Sequence, residues 1–534
     1  MKRNFSDFNY SNIRPIWLVL FAALIFIPWI WHGALWDRDE TYYAEVAREM
    51  LESGKWLLPY SNYEAFNEKP AFSYWVTLFG FAIFGVNEFA ARIFSALLGV
   101  GTVLFTAGTG NLLFGGNAGI LSGFMLSSSL LFVVISRSAL MDPPLLLFMT
   151  AAFYFYVRAS ENDFIEKKYL TAMYIAMGLA VLTKGPIGAL LPASTVFLHT
   201  IITNARAWRK LRPIMGLALI SAVSGPWYIY VILKTKGDFF FDFIIGHNVQ
   251  QFMNPIQGHG GPIWFYIPIL IFGFLPWSVF LPQAFIRKMD SNHLWLLGLW
   301  AVIPFILFSL AGTKLPHYML PLFPPLAICV AAQWASWLSS SSDSSSRPVW
   351  PMIFLVMITV LLPLAAIMVH RLQPNVMPQI LVIILTILPV GFITALVLHR
   401  NLSIVFALLP VTMLIFILSL ASFGIPSIDL IRVIKPVGIF LREMGNVPIY
   451  TYRFFEPGLV FYSQRHIQNI ESPENIKQLL DGEKDFALVV RDRDLEETLR
   501  MTNGMMKTVT RKDGFCEDKG EMNLIILRRQ EGPK

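Results

Sequence analysis

Long apolar blocks dominate this chain, and its polar residues collect in the gaps between them. Blocks long enough to cross a bilayer run at about 15–34, 88–112, 117–135, 143–159, 169–183, 187–203, 214–232, 263–286, 292–310, 319–338, 349–369, 379–398 and 402–424. A crossing helix needs roughly 20 residues, which makes the 143–159 and 169–183 blocks marginal. Ala71–Gly85 is shorter still: at helical rise it covers only about 22 Å of a roughly 30 Å hydrocarbon core. The first gap, Trp36 to Pro70, is crowded with charges of both signs. Each would cost roughly 2.5–3.5 kcal/mol at the bilayer centre, so the stretch belongs at or outside a membrane face. Helical spacing from Asp39 to Ser53 sets Tyr43, Val46, Ala47 and Met50 on one side and Arg48, Glu49 and Glu52 on the other, with Ser53-Gly54 as the stop. That pattern predicts a helix lying in the interface plane.

Charge settles the orientation. If 71–85 lies in the interface without crossing and the N-terminus is inside, the basic loops 161–168, 204–213, Arg287-Lys288 and His399-Arg400 all face the cytoplasm, as the positive-inside rule prefers. The prediction is an all-α polytopic membrane protein of about thirteen transmembrane helices, N-terminus in and C-terminus out. The basic N-terminal flank has no small-residue cleavage site before the 15–34 block, so that block reads as a retained span. After residue 424 the composition changes. Val447–Tyr452, Phe486–Val490 and Met522–Leu527 read as strands, Pro473–Leu480 and Leu495–Arg500 as helices. They predict a small outer α/β domain over 425–534, following a transmembrane catalytic domain over 1–424. Ser339–Ser346 reads as a flexible cytoplasmic linker, and no internal repeat of the inverted-repeat transporter kind is evident.

Composition agrees with the pattern: 55% of the 534 residues are hydrophobic and only 14% charged, against about a quarter charged in a soluble globule. The net charge of +7 sits in short loops, where it writes topology and does not imply nucleic acid. Two cysteines, Cys329 and Cys516, supply neither a disulfide framework nor metal-ligand spacing. No nucleotide fingerprint is present.

With that topology Asp39, Lys69, Asp142, Lys184, His247 and Lys314 all fall on the outer face. Polar groups gathered at helix ends on one face mark a site. Asp39, in WDRDE, is placed to take a proton or steady a developing positive charge; the competing reading is a helix N-cap. Asp142, in RSALMDPP, has the same pair of readings. Lys69, Lys184 (in LTKGP) and Lys314 (in TKLPHY) stand beside Pro or Gly without an acidic sequence neighbour other than Glu68. They suit a phosphate, against plain snorkelling to headgroups. Glu68 and His247 could share a divalent metal, zinc or magnesium, with His259 or His317 as substitutes for the histidine.

These motifs occur in a fixed order: WDRDETYYAEVAREMLESGKWLLP, NEKPAFSYW, SRSALMDPPL, LTKGPIG, GHNVQQF followed by GPIWFYIPILIFGFLPW, and TKLPHYMLPLFPPLA. In this the chain resembles the phospholipid-carrier-dependent, GT-C-type glycosyltransferases, specifically the bacterial lipid A aminoarabinose transferases, relatives of the protein O-mannosyltransferases. The resemblance is dense from about residue 30 to 330. It implies Asp39 and Asp142 as the catalytic acids. Lys69, Tyr43, Lys184, Lys314 and Tyr318 would line the donor-phosphate site, and Glu68 and His247 the metal position. It further implies a polyprenyl-phosphate-sugar donor, a lipid A or similar lipid acceptor, and a place in the bacterial inner membrane with the site on the periplasmic face. Two positions depart from the family pattern: Tyr42 and Gln251 stand where Arg is usual, removing two bidentate phosphate donors. A peptide acceptor, as in the O-mannosyltransferases, and a sugar-lipid transporter are the alternative expectations.

Overall fold

The computed structural model describes residues 14–161, 163–250, 253, 260–286, 290–339, 348–372, 378–482, 485–516 and 520–529. Each of the thirteen apolar blocks carries helix over most of its length. Among the described residues eight helices are long and apolar enough to cross a membrane, or up to ten if each of two bent pairs counts as one span. The blocks outside that count are α1 (Pro15–Phe26), only 12 residues long, and the more polar α7 (Asp142–Glu161) and α8 (Lys167–Lys184).

The bent pairs explain each other. One bends 68° between Gly116–Ser127 and Leu130–Ser136, the other 104° between Tyr266–Gly273 and Trp277–Ile286. A break frees backbone groups that apolar surroundings cannot hydrate. Here Leu130 N–H donates to Leu275 O at 3.2 Å, and Trp277 donates its indole N–H to Ser128 Oγ at 3.0 Å. The breaks thus meet and satisfy one another inside the main core. Small residues bring neighbouring helices close elsewhere. A Cβ on Gly119 would stand 2.7 Å from Ala107 O of α4 (Glu88–Phe114), so side chains there are excluded by backbone.

The first outer gap folds as α2 (Glu40–Ser53), the hairpin β1–β2 (Tyr60–Ser61 and Glu64–Ala65) and α3 (Phe72–Phe84). Gly54, at φ 67°, ends α2 in the left-handed conformation that glycine adopts freely. The expected solvated side of α2 is corrected here. Val46, Ala47 and Met50 are buried as the pattern required, but Arg48 and Glu49 on the supposed solvated side are also only 5% and 2% exposed, and Glu45 beside them is fully buried. Their burial is tolerable because they are paired: Arg48 bridges Glu45 at 2.6 Å and Glu52 at 2.6 Å. Local periodicity shows which residues are apolar; it cannot show that paired charges will be covered by a distant part of the chain.

That cover is the C-terminal region. Helix Ile434–Glu443 and helix Pro457–Ser463 lead into a five-stranded sheet. Its strands are β3 (Ile449–Tyr452), β4 (Ile467–Ile470), β5 (Ala487–Arg491), β6 (Met506–Lys512) and, beyond the short pair β7–β8 (Phe515–Cys516 and Gly520–Glu521), β9 (Leu524–Arg529). The order is β4-β3-β5-β9-β6, with β3 parallel to β4 and β5, and β9 antiparallel to β5 and β6. The three expected strands correspond to β3, β5 and β9. β4 and β6 escaped prediction because they are short or exposed, and so lack an apolar run.

Candidate active site

Asp39 sits at the turn into α2, and its setting is unusual. Arg38 is held at φ 65°, outside the regions most residues occupy. Trp36 N–H donates to Glu40 Oε2 at 2.9 Å, and Arg38 N–H to Thr41 Oγ1 at 3.1 Å. Glu40 turns inward, fully buried, and meets Arg92 of α4 through two bonds of 2.8 and 2.5 Å. It also accepts the Ala139 N–H at 2.7 Å, from the loop leading to Asp142. Burial alone would raise the Glu40 carboxyl; the Arg92 charge, its hydrogen bonds and the two backbone amides outweigh that and hold it below its ordinary range. One carboxylate therefore ties the Asp39 loop to the Asp142 loop. Asp39 itself occupies the N-cap position, and its side chain makes no cap hydrogen bond there.

The neighbouring groups converge. Asp39, Tyr43, Glu68, Lys69, Asp142, Lys184 and Tyr318 all line one cavity of about 700 Å³. Lys184 Nζ bonds Asp142 Oδ1 at 2.8 Å, and His317 Nε2 lies 3.8 Å from Asp142 Oδ2. The Lys184 ammonium stands 4.8 Å from the centre of the Tyr318 ring. Burial first, then the nearby charges of Asp39 and Asp142, pushes the Tyr43 phenol well above its usual value, so it stays a proton donor. Lys69 makes no hydrogen bond or ion pair among the described residues. Burial, and then the Lys184 charge, lower its ammonium to about 8 against the pull of Glu68 and Asp142. Lysine is built to be tuned this way, and an arriving anion would reverse the shift.

Two expectations change. Lys184 has no acidic neighbour in sequence but has one in space, so Asp142 and Lys184 form a unit. Lys314 is not among the residues that line the cavity: it is buried, and its ammonium donates to the Ala311 carbonyl at the end of helix Ser291–Leu310. The lysine expected at the phosphate thus has one of its three N–H groups engaged at a helix C-terminus. His247 lies in the segment Phe240–Gln250, but its side chain is outside the described residues, as are His259 and Gln251. Among the described residues no three His, Cys, Asp or Glu side chains converge as metal ligands, so they do not by themselves compose a zinc or magnesium site. Tyr42, one of the two departures from the family pattern, lines the cavity beside Phe66, ring centres 5.0 Å apart.

Sequence reasoning missed the roof. Arg453, Phe454, Phe455, Asn469, Glu471 and Arg491 of the C-terminal region close the cavity from above. Nothing in their local sequence marks them, since Asn469 and Arg491 lie in β4 and β5 and the others follow β3 and β4, ends that only the sheet brings together. A second hollow opens sideways from the floor between α7, helix Ile187–Asn204 and helix Ser291–Leu310. Its walls include Leu145, Ile187, Leu191, Leu307 and Phe308, and it shares Lys69, Asp142, Lys184 and Tyr318 with the main cavity.

Comparison with known proteins agrees with this geometry. The fold matches the crystal structure of ArnT from Cupriavidus metallidurans bound to undecaprenyl phosphate at a TM-score of 0.82, with 22% identity, over 98% of this chain and 100% of that one. An uncharacterized protein of Aquifex aeolicus is 30% identical over 85% of this chain and 88% of its own. The undecaprenyl phosphate-alpha-4-amino-4-deoxy-L-arabinose arabinosyl transferase of Enterobacter sp. (strain 638) is 36% identical over 329 residues, 59% of this chain, and the match spans 58% of that enzyme's length. Residues 13–295 match the dolichyl-phosphate-mannose-protein mannosyltransferase family. The chain belongs to that family, within the GT-C-type, polyprenyl-phosphate-dependent superfamily that the aminoarabinose transferases share.

Proposed function

We propose that this chain is an integral-membrane glycosyltransferase that moves a sugar, aminoarabinose or a relative of it, from a polyprenyl-phosphate carrier to lipid A or a similar lipid acceptor. It would work at the periplasmic face of the bacterial inner membrane. The observation that carries the reading is that a cavity lined by charged groups and a mainly apolar side hollow share walls at Lys69, Asp142, Lys184 and Tyr318. A ligand with a charged head and a long apolar tail fits that shape and few others do. The names of the curated relatives, undecaprenyl phosphate aminoarabinose transferases, support the same carrier.

In this reading Lys69 binds the carrier phosphate, and Lys184, pinned by Asp142, stands behind it. The acceptor oxygen attacks the anomeric carbon from the face opposite the phosphate, so configuration inverts. The bond from anomeric carbon to phosphate oxygen breaks, and its electron pair passes to the phosphate, where Lys69 meets the growing charge. If the acceptor is a hydroxyl, Asp39 takes its proton. If it is a lipid A phosphate, already ionised, Asp39 instead steadies the oxocarbenium-like centre. We also assign thirteen crossing segments, adding α1, α7 and α8 to those that satisfy length and apolarity, because that count keeps every basic loop on one side.

The test is transfer from a labelled undecaprenyl-phosphate-linked sugar to lipid A by the purified protein. A sugar-sized mass increase on lipid A is expected. Movement of the intact carrier lipid across vesicles without bond cleavage, or label passing only to a peptide, would overturn the reading.

A further inference from the structure

A groove of about 540 Å³ runs over the C-terminal sheet beside the cavity roof, and it shares Phe455 and Asn469 with the main cavity. Its lining is rich in side-chain amides. Gln468 comes from the edge strand β4, Asn475 and Gln478 from the helix Pro473–Gly482. All three are exposed, and among the described residues their amides make no hydrogen bond. The other wall is the β1–β2 hairpin, fastened to the edge strand by Asn62. That amide donates to Ile467 O at 2.9 Å and accepts Ile467 N–H at 3.0 Å. The groove is therefore already assembled from two distant parts of the chain.

Amides that both donate and accept match hydroxyl groups, and Phe455 at the junction offers an apolar face for a sugar ring. The ionisable wall groups are Glu64 and His466, so the groove has no cation cluster to hold a phosphate. We propose that it is a subsite for neutral sugar units of the acceptor, lying beyond the point of transfer. The preferred acceptor would then be a lipid whose glycan extends past the reacting group. This rests on the transferase reading above and goes beyond it by naming the acceptor's class.

The test compares full-length protein in nanodiscs on two acceptors: free lipid A, and lipid A carrying its core oligosaccharide. Losing one or two hydrogen bonds should cost about five- to tenfold in affinity. The wild type should therefore show a KM about five- to tenfold lower for the core-bearing acceptor. The double variant Asn475→Ala, Gln478→Ala should lose that preference with kcat, and KM for free lipid A, unchanged. Gln478→Trp, which fills the groove, should do the same. Saturation-transfer NMR with released core oligosaccharide should give a signal that both variants abolish. Equal KM values in the wild type, or a preference that survives both variants, would overturn the subsite while leaving the transferase reading intact. Oligosaccharide binding without transfer to either lipid would overturn the transferase reading, and with it the groove's role in acceptor choice.

Discussion

The floor and the roof of the cavity use charge in opposite ways. Beneath the floor Glu40 and Arg92 form a buried pair, and on the floor the buried Asp142 meets the half-buried Lys184, while the half-buried Lys69 makes no hydrogen bond or ion pair among the described residues. On the roof, Arg453 bridges Glu497 at 2.7 Å in contact with solvent, while Arg491 with Asp494, at 3.1 Å, is mostly covered, as the floor pairs are. A buried pair is costly to break because the surviving charge cannot be rehydrated. An exposed pair yields little on either side of the ledger. The buried pairs therefore hold geometry, and the exposed Arg453–Glu497 pair contributes little to it.

The largest effect should come from Asp39→Asn. Loss of a general base or of oxocarbenium stabilisation should lower turnover by about 10²–10⁴-fold, with the thermal melt unchanged; near-normal turnover would remove Asp39 from the reaction. Next is Glu40→Gln, which strands the Arg92 charge in a buried site. It should destabilise the fold by about 3–5 kcal/mol, read as a large drop in melting temperature. If it instead cost only activity, Glu40 would belong to the chemistry and not to the frame.

Lys69 supplies the third contrast. Its ammonium, lowered to about 8, is charged below that pH and neutral above it. Affinity for an anionic donor should accordingly be full on the acid side, and kcat/KM for donor should fall about tenfold per pH unit above about 8. Lys69→Arg should flatten that limb, because a guanidinium stays charged throughout. A limb unmoved by the substitution would assign the titration to another group. The smallest effect is expected at the roof: Glu497→Gln should change stability by no more than about 1 kcal/mol. A loss as large as that of Glu40→Gln would erase the difference between the two regions.

Much of the floor was legible because membranes punish charge. In a chain this apolar, Asp39, Lys69, Asp142 and Lys184 stood out against their surroundings, and loop charge placed them on one face before any coordinates. The same logic gave no sign that the Lys314 ammonium donates to a helix-end carbonyl. It also misjudged α2, where charged side chains were expected in solvent and are buried as pairs. Pairing partners such as Arg92 for Glu40, or Asp142 for Lys184, lie 52 and 42 residues away, beyond any local pattern. The roof was invisible for a related reason: Arg453 and Phe455 follow β3 and Asn469 lies in β4, with no local pattern to mark any of them.

By itself the sequence determined which segments are apolar enough to sit in lipid, which face carries the ionisable groups, and that a separate β-containing region follows residue 424. Those properties are sums over consecutive residues, so one dimension suffices to read them. Only the tertiary structure decided which acid meets which base, which lysine is left for a ligand, and what closes the cavity. Those are matters of distances between residues far apart in the chain. In a low-dielectric interior, distances of a few ångströms decide whether a charge is neutralised, held in reserve or intolerable.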